Sequence, residues 1–161
     1  MPSNKDRLYL TLNVRGGAPK MPGKEDTYHW ALMVGPKIET EGSQGVRFHA
    51  KETIQPEGSQ WRLEERPCGL LMTSMLLVRV MIAKIENRAR LAEILRRTPI
   101  RQGQAGWNCV SWVKEALERL TAKWKVLGTN VVEWETVRHA AMDYCQQKKN
   151  QHRFDGQGNL I

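Results

Sequence analysis

Apolar and polar positions alternate over residues 8–14, with Leu8, Leu10, Leu12 and Val14 in one register and Tyr9, Thr11 and Asn13 in the other. A period of two belongs to a strand with one face in the core, so a half-buried strand is predicted here. Tyr-His-Trp-Ala-Leu-Met-Val-Gly, residues 28–35, makes a second strand, closed by Gly35-Pro36. Residues 45–53 and 61–66 read as a third and a fourth. The run Met75 to Ile85 is dense in Val, Leu and Ile and suits a central strand.

The period then changes to that of helices. Arg88 to Arg97 carries Leu91, Ile94 and Leu95 at helical spacing, and Pro99 ends it. From Asn108 to about Trp124, one stripe holds Cys109, Val113, Ala116, Leu117, Leu120 and Trp124, with Lys114, Glu115, Glu118 and Arg119 opposite. Glu133 to Gln147 repeats the pattern with Trp134, Val137, Ala141, Tyr144 and Cys145. Residues 17–26, rich in Gly, Pro and Lys, form a loop, and 151–161 read as a poorly ordered tail. Strands first and helices later predict an α+β single domain over residues 1–161. Its sheet is mostly antiparallel, of about five strands, packed against two or three helices.

A chain of 161 residues, 40% apolar and 26% charged, has the size and composition of one globular domain. No apolar run approaches the roughly 20 residues of a membrane-spanning helix. The longest, Met72 to Ala83, is broken by Thr73, Ser74 and Arg79. The first residues lack the apolar segment of a secretory signal, so a cytoplasmic location is expected. A net charge of +8 favours acidic partners. The cations are spread along the chain, densest at Arg96-Arg97 and near Lys148, Lys149 and Arg153. That spread reads as a solvated surface and argues against a nucleic-acid partner.

Three cysteines, Cys68, Cys109 and Cys145, are an odd number with no C-x-x-C pair, which argues against a disulfide framework or a metal site. Nucleophilic chemistry needs thiolate, and a helix N-terminus lowers a thiol pKa through its free N–H groups and dipole. Cys109 alone is so placed. A loop with Gly103 and Gly106 precedes it, Asn108 is a favoured N-cap, and the amphipathic stripe follows. The same N–H groups could hold an oxyanion. His29 and His49 lie on consecutive strands at near-symmetric positions about the intervening loop, which makes them neighbours across a hairpin. One could take the thiol proton while the other orients it. His139 faces the polar side of its helix and His152 lies in the tail, so neither receives a role.

Three blocks, Tyr28–Gly35, Arg47-Phe48-His49-Ala50 and Trp107-Asn108-Cys109-Val110-Ser111-Trp112-Val113, together resemble the lecithin:retinol acyltransferase-like group. That group belongs to the permuted branch of the NlpC-type, papain-like superfamily. Its members show a His-Trp-Ala strand, a second His on the next strand and an Asn-Cys-x-x-Phe-Val helix start; here Trp112 replaces the Phe. The resemblance implies a permuted papain-like fold with Cys109 as nucleophile, His29 as base and His49 as the orienting member. It also draws attention to Gln102 and Gln104, near where a papain-like enzyme carries an oxyanion-hole glutamine. Trp30 and Trp107 flank the site residues as walls of a substrate pocket or as core.

The expected activity is that of a cysteine-dependent hydrolase or acyltransferase acting on an amide, ester or thioester through an acyl-enzyme. Its substrate is a small-molecule, lipid or peptide acyl compound, with no cofactor. The alternative is a non-catalytic binding module of the same fold that engages an acidic partner through its basic surface.

Overall fold

The computed structural model describes residues 5–37, 44–69, 76–150 and 156–161. The strand start at Met75, the Met72–Ser74 part of the apolar run, and His152 and Arg153 of the expected tail lie outside these residues.

The protein is α+β, as the element order predicts, and among the described residues it has seven strands, where about five were expected, and three helices. The strands are β1 (Arg7–Val14), β2 (Tyr28–Gly35), β3 (Gln44–Gln55), β4 (Gly58–Gly69), β5 (Leu76–Ile85), β6 (Leu127–Asn130) and β7 (Gly156–Asn159). The helices are α1 (Arg88–Arg97), α2 (Cys109–Thr121) and α3 (Trp134–Asn150). Spatial order in the sheet is β4-β3-β2-β1-β5-β6, with β7 also on β5. Every pairing is antiparallel except that of β7 with β5. Residues 156–159, read from the sequence as part of a loose tail, are therefore a strand. The β5 edge offers backbone groups opposite Val78–Met81, and this segment pairs with them.

All three helices cover one face of the sheet. Leu8, Leu10, Leu12, Trp30, Leu32, Phe48, Val80 and Ile82 meet Leu91, Leu95, Val113, Leu117 and Val137 there in one core. The other face of β1 was expected to meet water but is buried too, with Tyr9, Met33 and Leu76 forming a second, smaller cluster. The Arg79 guanidinium stacks 5.0 Å from the Tyr9 ring centroid. Strand β1 is thus central and closed on both sides. Trp124, placed by helical spacing on the apolar stripe of α2, is instead 84% exposed. The helix ends at Thr121, so the period no longer sets where residue 124 points.

The helix starts obey local chemistry. Asn87 caps α1 by accepting from the Arg90 N–H at 3.0 Å. Asn108 and Ser111 form a reciprocal capping box on α2. Among the described residues, no helix is long and apolar enough to cross a membrane.

Candidate active site

The β2–β3 ladder pairs Leu32 with Phe48, Met33 with Arg47 and Val34 with Val46. Continued past Leu32 and Phe48, this register would set His49 opposite Ala31 and His29 opposite Lys51. The two histidines are thus diagonal neighbours on one face, the relation their spacing predicts. The ladder stops before reaching them, so β2 and β3 part beside residues 28–31. β3 runs on, paired with β4 alone, as far as Gln55 and Gly58.

The strand-borne groups form a chain of hydrogen bonds. His29 Nε2 lies 2.6 Å from His49 Nδ1, and His49 Nε2 lies 2.9 Å from Glu64 Oε1. Glu64 sits directly opposite His49 in the β3–β4 register, and Lys51 Nζ donates to its other oxygen at 3.2 Å. Burial pushes the Glu64 carboxyl upward, but the bonds from His49 and Lys51 outweigh it and bring it down to about 2. An ionised carboxylate can only accept. Burial, helped by the charge of nearby Arg47, lowers both histidines, His29 to about 3, so both are neutral at pH 7. The tautomers then follow from the carboxylate. His49 donates from Nε2 and accepts at Nδ1, His29 donates from Nε2, and the lone pair of His29 remains on Nδ1. His29 is thereby set up as a proton acceptor at one defined atom.

Cys109 opens α2 beneath this strand pair, and its side chain is fully buried. The backbone N–H of Trp30 acts on the thiol and pulls its pKa down. The thiol and the histidines are not hydrogen-bonded to each other. Cys109 belongs to the helix-side core, whereas His29, by strand alternation, points to the other side of β2.

The sequence reading expected the helix start to lower the thiol pKa. Burial instead raises it. The Trp30 N–H, the Arg15 charge and the N–H groups of Val110 and Cys109 all pull it down, but they do not offset the loss of water. At rest the site holds a neutral thiol and neutral imidazoles. Proton transfer, not a preformed ion pair, would have to generate the nucleophile.

The remaining site candidates scatter. Gln102 is committed elsewhere: its Oε1 accepts from the Trp61 N–H at 3.1 Å and its Nε2 donates to the Trp61 carbonyl. This caps the outer edge of β4 instead of facing the thiol. Trp30 is core, fully buried, donating to the Glu25 carbonyl at 2.8 Å and packed 5.5 Å from the Trp134 ring. Trp107 and Gln104 do line a cavity, a groove of about 750 Å3 along α2 that also touches Met21, Val110 and Ser111. Neither Cys109 nor His29 lines it. Cys68 and Cys145 form no disulfide, and the buried Cys145 side chain is hydrogen-bonded to that of Tyr28. Among the described residues, no group of three His, Cys, Asp or Glu side chains is arranged to hold a metal.

Sequence reasoning missed Glu64. The signal was present, because the turn at Pro56-Glu57 and the positive-φ Gly58 fix the next hairpin. The symmetry argument that joined the histidines would have set Glu64 opposite His49. Reasoning from the sequence also passed over Arg15, whose charge acts on both Cys109 and His29.

Fold and site together define an α+β protein with a cysteine at a capped helix start and a His-His-Glu relay on the adjoining strands. The chain belongs to DUF6914, a family of unknown function, whose model matches residues 5–161. No curated protein and no solved structure matches it.

Proposed function

We propose that the protein is a thiol-dependent hydrolase or acyltransferase of the permuted papain-like kind, with Cys109 as nucleophile and His29 as its base. The observation that carries this reading is the directed relay from Glu64 through His49 to His29. Three groups on three strands spend two hydrogen bonds to leave one imidazole lone pair available, an arrangement a merely structural histidine does not need. In the proposed reaction the Cys109 and His29 side chains, on opposite sides of β2 at rest, come within hydrogen-bond reach, and His29 Nδ1 takes the Cys109 proton as the sulfur attacks an ester, thioester or amide carbonyl. The same nitrogen returns that proton to the leaving group. The acyl group then passes from sulfur to water or an amine, restoring the thiol. The N–H group of Cys109 is suited to receive the oxyanion.

Full burial of Cys109 favours the second reading, a non-catalytic module in which the thiol is core. An activated ester such as p-nitrophenyl acetate, followed by mass spectrometry of the intact protein and its peptides, separates the two. The expected result is acylation at Cys109, abolished in Cys109→Ser. His29→Ala should slow it about 10²–10⁴-fold, the usual worth of general acid–base catalysis. His49→Asn, which can still hold one hydrogen bond, should slow it less. Absence of a Cys109 adduct, or equal labelling of Cys68, leaves the binding-module reading standing.

A further inference from the structure

Strand alternation collects charge that is dispersed in the sequence. On the relay's face of the β3–β4 hairpin, the register pairs Arg47 with Arg66, His49 with Glu64, and Lys51 with Arg62. The relay pair is therefore bracketed by two cross-strand pairs of like charge, four cations around one carboxylate. Like charges directly opposite one another destabilise a hairpin, so the arrangement is not what stability alone would select. Glu64 is already occupied. It accepts from His49 and Lys51, while Arg62 and Arg66 approach it only to 4.0 and 3.9 Å. The side chains of Arg62 and Arg66 are 62% and 59% exposed, and that of Lys51 40%. Arg47 Nε is buried without a hydrogen-bond partner. Glu52 and Glu65 alternate to the opposite face, so they do not neutralise the four.

We infer that this hairpin face binds an acidic peptide segment across the histidine relay, an inference that stands independently of the proposed acyl chemistry. Arg62 and Arg66 lie four strand residues apart, about 13 Å. A ligand that engages both ends must carry anionic groups that far apart along an extended chain, with its backbone passing over His49. An acidic peptide in extended form meets this requirement. Single-stranded nucleic acid, the other polyanion of such length, is bound by stacking on exposed aromatics. The aromatic side chains of the paired hairpin residues, Phe48 and Trp61, lie on the opposite face.

The test uses the full chain and a fluorescein-labelled nonapeptide alternating Glu and Ser, with a Gln-for-Glu peptide and a nine-nucleotide single strand as controls, read by anisotropy. The acidic peptide should bind, and the Gln peptide should not. Affinity should fall as salt screens the exposed charges. The double variant Arg62→Ala/Arg66→Ala should weaken binding about tenfold or more, from two exposed contacts. Arg62→Lys/Arg66→Lys should retain it, as should the control Arg97→Ala on α1. Circular dichroism of each variant verifies folding. The proposal is overturned if the Gln peptide binds equally well, if the Ala variant binds like wild type, or if the oligonucleotide binds more tightly. Acylation of Cys109 in the same preparations keeps the two claims apart. An acylated protein that ignores the acidic peptide defeats this inference alone. Charge-dependent peptide binding without acylation upholds it and defeats the acyl-transfer reading.

Discussion

His29, His49 and Glu64 show how one ionised oxygen can direct a whole relay. The carboxylate accepts, the two imidazoles orient in turn, and the cost of keeping them neutral is met by burial. That burial has a consequence for stability. The folded His29 titrates near 3 against an ordinary 6.5, so the unfolded chain binds its proton first as pH falls. Its contribution is complete above about pH 6.5 and is lost progressively toward pH 3. Glu64, down to about 2 from 4.5, adds a loss in the same direction between those values. Thermal midpoints should be level above pH 6.5 and decline below it. In His29→Leu the upper part of that decline should shrink while the part below pH 4.5 persists. An unchanged pH profile in this variant would show that the imidazole is not held neutral by the fold.

Among the elements, α2 and β4 carry the sharpest expectations. Asn108 Oδ1 accepts from the N–H groups of Val110 at 2.9 Å and Ser111 at 3.4 Å. Asn108→Ala should therefore cost about 1 kcal/mol, as losing an N-cap does, measurable as a shifted denaturant midpoint with an unchanged slope. Strand β4 is the outer edge of the sheet, where unpaired backbone groups invite association. Gln102 covers both polar groups of Trp61 at that edge, and Pro67 on the same strand has no N–H to offer. In Gln102→Ala the Trp61 amide should exchange with solvent markedly faster while amides within β1 stay protected. Equal protection in both proteins would mean that the carboxamide is not what shields the edge.

At the scale of the whole molecule, chain closure depends on β7. Its Gly158 passes against the Tyr144 ring of α3, where an added Cβ would lie 2.5 Å from Cε2. Leu160, just beyond, packs against the main core. Gly158→Ala should thus push β7 off β5 or displace the ring, costing roughly 1–3 kcal/mol as overpacking does. A lower thermal midpoint together with faster amide exchange along β5 residues 78–81 is the expected readout. A variant as stable as wild type would show that Tyr144 yields freely.

The local features were legible in the sequence because their causes are local. Alternation marked β1, Gly35-Pro36 closed β2, a proline set the end of α1, and Asn108 with the stripe behind it marked the start of α2. The nearness of His29 and His49 was legible as well, since a hairpin's register follows from its turn. Tertiary structure decided the rest. Burial of Cys109 is a sum over helices and strands that no single stretch encodes, and it reversed the direction expected from the helix start. Glu64 entered the site only through the pairing of β3 with β4, fifteen positions from His49. The closing strand became visible only once β5 presented an edge for it. The basic charge is dispersed along the sequence, but a period of two, laid across paired strands, gathers part of it on one face around the relay.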